Sequence, residues 1–444
     1  MTDARKRILI DGRNLGLEKG TGVATYARNL SFSLRDLGYA VDVLYGNQAS
    51  RGHSALMREI SFFDANAGEV PRWLRILRAV RQRLLNPRGY LASRVPVTDE
   101  VIKTTYQSRL PHFDRLYNSP DVFGRAHLLR NVTPFQTALT SVRIPVRPDL
   151  VHWTYPMALK VARIPNLYTL HDLVPLRLPY TTLDNKRKYL RLMTKIAKTA
   201  DHIVTVSETS KADIMRLLKV PESRITNTYQ AVNIPAKYRD KPDEIIAREV
   251  EGTFRIGYRD YFLFWGSIEP KKNIGRLIEA YLSSNVRTPL VIVGAQAWKS
   301  EDELKLLYDD TIRSLVHSGS ETTTKRRVIQ LSYAPFPLLV SLIRGAKATV
   351  FPSLYEGFGL PVLESMLLGT PVISSNTASI PEVAGDAACL VDPYDTPALA
   401  RAIIAFDQDA DLRAHYAALG HRQAEIYSEA HYQTRLKELY GRFL

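Results

Sequence analysis

An α/β chain built as two Rossmann-like units is what this sequence predicts, and three observations predict it. Short apolar, β-branched runs recur with helical stretches between them, the pattern of parallel sheets covered by helices. The first run, Arg7-Ile-Leu-Ile-Asp11, passes through a loop from Gly12 to Gly22 into a helix from Val23 to Leu37, a strand–glycine loop–helix opening. A polar segment with Pro235, Pro242 and many charges up to Gly257 reads as a linker, and a second series starts beyond it at Tyr261-Phe-Leu-Phe-Trp265. At 444 residues there is room for two domains of ordinary size.

In the first half, Ala40 to Tyr45 reads as a second strand, whereas residues 50–148 lack a clean strand–helix alternation. Within them Arg72 to Leu85 is a basic amphipathic helix. Trp73, Leu77, Val80 and Leu84 recur at helical spacing, and Arg75, Arg78, Arg81 and Arg83 sit largely off that stripe. Two readings stay open: a surface helix with its stripe in the core, or a helix lying on an anionic membrane. Leu150 to Tyr155 and Pro165 to Leu170 are strands, the second ending at His171-Asp172, where ligands of open α/β sheets bind. Asp201 to Ser207 is another strand, with Ser207 capping a helix from Glu208 to Lys219.

In the second half, Gly266-Ser-Ile-Glu-Pro-Lys-Lys-Asn273 is the loop before a helix from Ile274 to Leu282. Lys271 and Lys272 beside a glycine loop suit a diphosphate clamp, or else a solvated pair. Pro289 to Gly294, Arg327 to Leu331 and Ala348 to Phe351 are further strands, and a long helical tail follows Pro397. Ile403 to Asp409 mimics an apolar strand followed by Asp-X-Asp. Its alanine-rich approach reads as a helix instead, and no His, Cys or carboxylate cluster has metal-ligand spacing, so no metal is expected.

The chemistry concentrates in Phe351-Pro-Ser-Leu-Tyr-Glu-Gly-Phe-Gly-Leu-Pro-Val-Leu-Glu364. Pro352 and Ser353 stop the strand, and two glycines let backbone approach a ligand closely. Pro361 opens a helix that Gly369 and Pro371 end. A glycine turn feeding a helix N-terminus gathers unpaired N–H groups and positive dipole, which suits phosphate. Glu356 and Glu364 bracket the turn, and a carboxylate repelled by phosphate accepts well from hydroxyls. A diphosphate flanked by two polyols, a nucleotide sugar, fits that layout.

These residues, with Gly369-Thr-Pro-Val-Ile373, Ile380-Pro-Glu-Val383 and Gly385-Asp-Ala-Ala388, resemble the family 4 retaining glycosyltransferases of the GT-B fold. The resemblance implies two Rossmann-like domains facing a deep cleft: residues 1–234 for the acceptor, 235–425 for the nucleotide sugar, and 426–444 as a helix crossing back. His431 to Phe443, with Leu436, Leu439 and Tyr440 on one face, is the candidate for that helix. It also implies Glu364 on the ribose hydroxyls, Glu356 on the transferred sugar and the backbone of Gly357, Phe358, Gly359 and Leu360 along sugar and diphosphate. His171 would touch the donor sugar, Gly266 and Lys272 the phosphates, with Lys271 and Ser267 beside them and Gly22 facing the cleft. Many members carry arginine where this chain has Ser267. His171, Glu356 and Lys272 are the expected catalytic residues, without a cofactor.

Around the same turn, Tyr355 to Pro361 with Glu269 to Asn273 is most similar to mannosyl- and rhamnosyl-type enzymes of bacterial surface polysaccharide assembly. GDP-mannose is accordingly the first donor expected and UDP-hexoses the next, with a saccharide or lipid-linked saccharide as acceptor. The net charge of +15 is uneven: residues 1–235 hold 36 Lys+Arg against 19 Asp+Glu. That half meets something acidic. Nucleic acid is not expected, because no reader motif is present and the Glu356–Glu364 turn would go unused. No apolar run approaches the roughly 18 residues of a spanning helix. A single cysteine, Cys389, excludes an intrachain disulfide framework and is expected to be an inert core residue. With Met1 to Arg7 lacking a signal-peptide core, the chain is expected in the cytoplasm, its basic half suited to the inner face of the membrane.

Overall fold

A computed structural model describes residues 5–15, 22–48, 54–63, 71–98, 100–101, 110–129, 139–297, 300–308, 313–318 and 321–444. Gly20 and Thr21 of the first glycine loop lie outside them.

The first half contributes β1 (Arg7–Asp11), β2 (Ala40–Tyr45), β3 (Tyr90–Leu91), β4 (Ser93–Val95), β5 (Arg115–Asn118), β6 (Thr140–Arg143), β7 (Leu150–Trp153), β8 (Leu159–Val161), β9 (Asn166–Thr169), β10 (His202–Thr205) and β11 (Ile225–Asn227). Eight of them form one sheet in the order β11-β10-β9-β7-β1-β2-β5-β4, parallel except for β4 against β5. β3, β6 and β8 make a small second sheet. Helices α1 (Gly22–Asp36), α2 (Ala55–Phe63), α3 (Arg72–Leu85), α4 (Val122–Leu129), α5 (Val174–Arg177), α6 (Lys186–Thr199) and α7 (Glu208–Leu218) complete this half. Strands β1, β2, β7, β9 and β10 are buried at every position, as a sheet covered on both faces requires.

The second half opens with α8 (Ala236–Arg239) and α9 (Asp243–Phe254), where the sequence reads as a linker. The prolines that suggested a break stand at the N-caps of these helices, and Asp243 and Glu244 suit the first turn of α9. Ile246 and Val250 bury α9 against α12 (Phe336–Arg344). Strands β12 (Phe262–Trp265), β13 (Leu290–Val293), β16 (Val328–Leu331), β17 (Ala348–Phe351), β18 (Val372–Ser375) and β19 (Cys389–Val391) form an all-parallel sheet in the order β16-β13-β12-β17-β18-β19. The hairpin β14 (Arg313–Ser318) and β15 (Glu321–Arg326) stands apart from it. The remaining helices are α10 (Ile274–Ser284), α11 (Ser300–Leu304), α13 (Leu360–Leu367), α14 (Ile380–Ala384), α15 (Thr396–Gln408), α16 (Ala410–Glu425) and α17 (Glu429–Tyr440). Two doubly wound halves are thus present. Cys389 is half-buried, and burial raises its thiol pKa.

Two segments turn out differently from one another. The stripe of α3 faces outward: Trp73 is 68% exposed, Leu77 59% and Leu84 67%. Among the described side chains of this helix only Ala79 is fully buried, beneath the Tyr90 hydroxyl and beside α4. The core reading of that stripe is therefore corrected; α3 is anchored by its small residue. Ile403 to Gln408 is helical, as read, with Asp409 at its end: Asp407 accepts from Lys347 Nζ at 2.9 Å and Asp409 caps α16 through Leu412 N at 2.8 Å. Both carboxylates have structural work.

Helix α17 crosses back to the first half, burying Tyr432, Leu436, Leu439 and Tyr440. The Tyr440 hydroxyl lies 2.6 Å from His152 Nδ1, and His152 Nε2 lies 2.7 Å from Thr169 Oγ1. Burial, with a smaller push from His171, lowers the His152 pKa to about 3, so the folded ring stays neutral. An unfolded chain takes up a proton near 6.5, so this site loses stability as pH falls below that value. Tyr440→Phe should cost about 1–3 kcal/mol for the orphaned imidazole nitrogen, and Tyr440→Ala about 3–5 kcal/mol through the cavity as well. Urea unfolding measures both; equal, negligible losses would show that this contact does not hold the helix.

Candidate active site

β17 delivers the chain to the carboxyl edge of the second sheet, and the turn to α13 follows. Gly359 at the helix N-cap has φ 100°, a left-handed conformation open to glycine. Gly357 is glycine for a different reason: a Cβ there would come within 2.7 Å of the His171 carbonyl oxygen. Its own carbonyl accepts from Ser207 Oγ at 2.7 Å and Ser210 Oγ at 3.3 Å, both on the first turn of α7. The turn is thus seated on the first half of the chain. Phe358 points into the interior between Tyr229 and Tyr427.

The lysine loop lies alongside. Gly266 follows β12, Ser267 is exposed, and Pro270–Lys272 forms one 3₁₀ turn. Asn273 pins this loop to the glycine turn, donating to the carbonyls of Pro352 at 3.0 Å and Pro393 at 2.7 Å. Leu354 N donates to the Lys271 carbonyl at 2.8 Å.

The charges form one connected set. Lys272 Nζ donates to Glu356 Oε1 at 2.6 Å, with both side chains largely buried. Burial pushes the Glu356 pKa up, but Lys272 and Lys271 outweigh it and hold the carboxylate below its ordinary range. Burial likewise opposes the Lys271 ammonium, yet Glu356, Glu269 and Asp172 raise its pKa. Glu364, at the other end of the turn, has less compensation. Burial raises it to about 7, against a Trp265 Nε1 hydrogen bond of 3.3 Å and the more distant Lys272.

The first half supplies the facing wall. His171, two residues beyond β9, donates from Nε2 to the Thr154 carbonyl at 2.9 Å, which fixes its tautomer. Burial lowers its pKa, so the ring is neutral, edge-on to Tyr26 at 4.8 Å. Asp11, at the end of β1, accepts from Thr154 Oγ1 at 2.9 Å and is pushed up to about 6 by burial. Gly22 opens α1 directly against Leu360, whose Cδ1 would lie 3.3 Å from a Cβ at that position.

The structure therefore sets Gly22 against Leu360, Gly357 against His171 and Lys272 against Glu356, with Glu364 on Trp265; Gly266, Ser267 and Lys271 lie on the loop beside them, and Gly359 is the N-cap of α13. Sequence reasoning missed what seats the two halves on each other. The Glu382 carboxylate accepts from the backbone N–H groups of Glu208 at 2.7 Å and Thr209 at 3.2 Å, capping α7 from the other domain. Tyr355 donates to Asp213 at 2.7 Å across the same seam. Ser207 does cap α7, accepting from Ser210 N at 3.0 Å, as read, and grips Gly357 besides. No local pattern announces a cap supplied from 174 residues away.

Residues 253–422 match the family model described as glycosyl transferases group 1, and residues 96–234 the one described as glycosyltransferase family 4. The chain is similar to O-antigen chain mannosyltransferase B of Escherichia coli, with 34% identity across 59% of this chain and 66% of that protein. Similarity to O-antigen chain mannosyltransferase RfbU of Salmonella typhimurium is 30% identity across 55% and 61%. For the mannosyltransferase WbdA of Escherichia coli the match spans 28% of that protein's length. In fold the chain resembles a sucrose-phosphate synthase from Thermosynechococcus elongatus, TM-score 0.65 at 16% identity, over 99% of each chain. It also resembles Anabaena HepE solved with UDP and glucose, TM-score 0.62 at 15% identity, over 99% and 100%.

Ionised, Glu364 accepts from hydroxyls at both oxygens; protonated, one oxygen becomes a donor and acceptance is weakened. If it holds the ribose, nucleotide affinity should rise with pH up to about 7 and level off above it. Below that value the loss should be at most about tenfold per pH unit. Calorimetric titration of the nucleotide checks this; Glu364→Gln should flatten the profile, and an unchanged profile in that variant would remove Glu364 from the ribose.

Proposed function

The chain belongs to the family 4 glycosyltransferases of the GT-B fold, and on that premise we propose that it is a retaining mannosyltransferase. Its donor is GDP-mannose and its acceptor a lipid-linked saccharide in surface polysaccharide assembly. The observation that carries this reading is the cross-domain site itself, in which a glycine turn flanked by Glu356 and Glu364 packs onto His171 with Lys272 alongside. The mannosyltransferase relatives support the sugar.

In this reading Glu364 holds the ribose and Glu356 the mannosyl hydroxyls. The backbone from Gly357 to Leu360 runs along the diphosphate. Lys272 has three donors, so it can keep Glu356 while meeting phosphate oxygens. As the bond from C1 to the diphosphate oxygen breaks, negative charge grows on that oxygen, where Lys272 and the start of α13 stabilise it. The acceptor hydroxyl oxygen bonds to C1 from the same face, and its proton passes to the departing phosphate oxygen. His171, neutral and fixed by Thr154, orients the sugar. Positive charge is supplied by the protein, so no metal is needed, and the basic first half rests on the inner face of an anionic membrane.

Purified chain with a synthetic acceptor should transfer mannose from GDP-mannose and be insensitive to chelator; turnover with UDP-hexoses alone would overturn the donor. Lys272→Ala should lower kcat/KM by about 10²-fold, the scale of one lost transition-state donor, and Lys271→Ala less. Glu356→Gln should depress turnover with nucleotide affinity nearly intact, whereas Glu364→Gln should weaken donor and bare nucleotide alike. Equal weakening of bare nucleotide by both would mean the two carboxylates do not serve opposite ends of the donor.

A further inference from the structure

Away from the donor loops, a cavity of about 580 Å³ opens between α3 and the segments that follow β2 and β5. Arg75, Arg78 and Arg81 of α3 and Arg125 of α4 line it, with Asp121 as the one acidic side chain among the described residues on its wall. Arg75 reaches Asp121 at 3.4 Å. Its Nε is buried without a hydrogen-bond partner among the described residues. Four guanidiniums against one carboxylate leave a strong positive excess in a concave site, where the field on an anion is focused.

Its place in the fold matters as much as its charge. Gln48 and Pro120, on its wall, follow the carboxyl ends of β2 and β5, which run parallel to β1. The cavity therefore opens on the sheet edge that also carries Gly22 and His171, where open α/β sheets bind ligands. Its rim is apolar. Leu85 lines the cavity and is 68% exposed, continuous along α3 with exposed Trp73, Leu77 and Leu84. A patch of this kind calls for a partner, and an anion pocket bordered by solvent-facing hydrocarbon fits an anion esterified to hydrocarbon.

We propose that this cavity binds the diphosphate of a lipid-linked acceptor while the outward face of α3 lies on the bilayer that carries the lipid. Guanidiniums suit phosphate oxygens through paired donors, and a concave site lined from two helices favours an inserted group over the flat headgroup layer. The proposal deepens the glycosyl-transfer reading and rests on it for calling the ligand an acceptor.

Sedimentation of the full chain with vesicles tests it. Three vesicles are compared: phosphatidylcholine alone, phosphatidylcholine doped with a polyprenyl diphosphate, and phosphatidylcholine with phosphatidylglycerol at matched surface charge. The chain should prefer the diphosphate vesicles and be displaced by inorganic diphosphate. Arg78→Gln with Arg81→Gln should weaken that binding about 25-fold, at about fivefold per arginine, with nucleotide affinity kept as the check of folding. Leu77→Ser with Leu84→Ser should weaken binding to vesicles but not to inorganic diphosphate. Equal binding to phosphatidylglycerol vesicles would mean a general membrane surface, and undiminished binding by the arginine variant would empty the cavity of its role. Diphosphate-vesicle binding by a chain that transfers no sugar would overturn the glycosyl-transfer reading alone. Transfer to a soluble acceptor without such binding would overturn the cavity assignment alone.

Discussion

The carbonyl of Gly357, held by the hydroxyls of Ser207 and Ser210, is the contact on which the site depends. It belongs to the second half of the chain and its partners to the first. Only a residue without a Cβ lets that turn sit against the His171 carbonyl. Ser210 donates to that carbonyl as well, at 2.9 Å, so one helix start fixes both walls of the cleft. Glu382 places its carboxylate on the same helix start, where the dipole favours negative charge. Tyr355 with Asp213 and the return of α17 onto His152 hold the halves together from either side.

The electrostatics divide along the turn. At one end Lys272 and Lys271 keep Glu356 ionised in spite of burial. At the other, Glu364 has an indole N–H and a remote lysine, and burial prevails. Two glutamates on one short segment are thereby given different ground states by their neighbours. A ligand offering hydroxyls to both and phosphate to the lysines between satisfies every group in the set. That convergence is stronger support for a nucleotide sugar than either carboxylate alone.

Both sheets were legible in the sequence because parallel strands buried on both faces are written as unbroken apolar runs, as in Phe262 to Trp265. The turn between β17 and α13 was legible because its glycines, Pro361 and flanking glutamates are contiguous. Legibility failed where tertiary context overrides local signals. Pro235 and Pro242 read as breaks yet initiate helices, and the apolar stripe of α3 was assigned a core that the structure fills with Ala79 alone. The contacts that seat one domain on the other could not be read at all, since Glu382 and Glu208, or Tyr355 and Asp213, are neighbours only after both halves have folded. The arginines of α3 were visible as charge, but their convergence with Arg125 on one cavity needs the fold.

Amide hydrogen exchange of the full chain with and without GDP-mannose tests the central claim most directly, because it reads the cleft from both walls at once. Slowed exchange should appear together at Gly266 to Lys272, at Gly357 to Leu360 and around His171. Protection confined to one half of the chain, or absent from these loops while GDP-mannose binds, would contradict a donor site assembled across the domain seam.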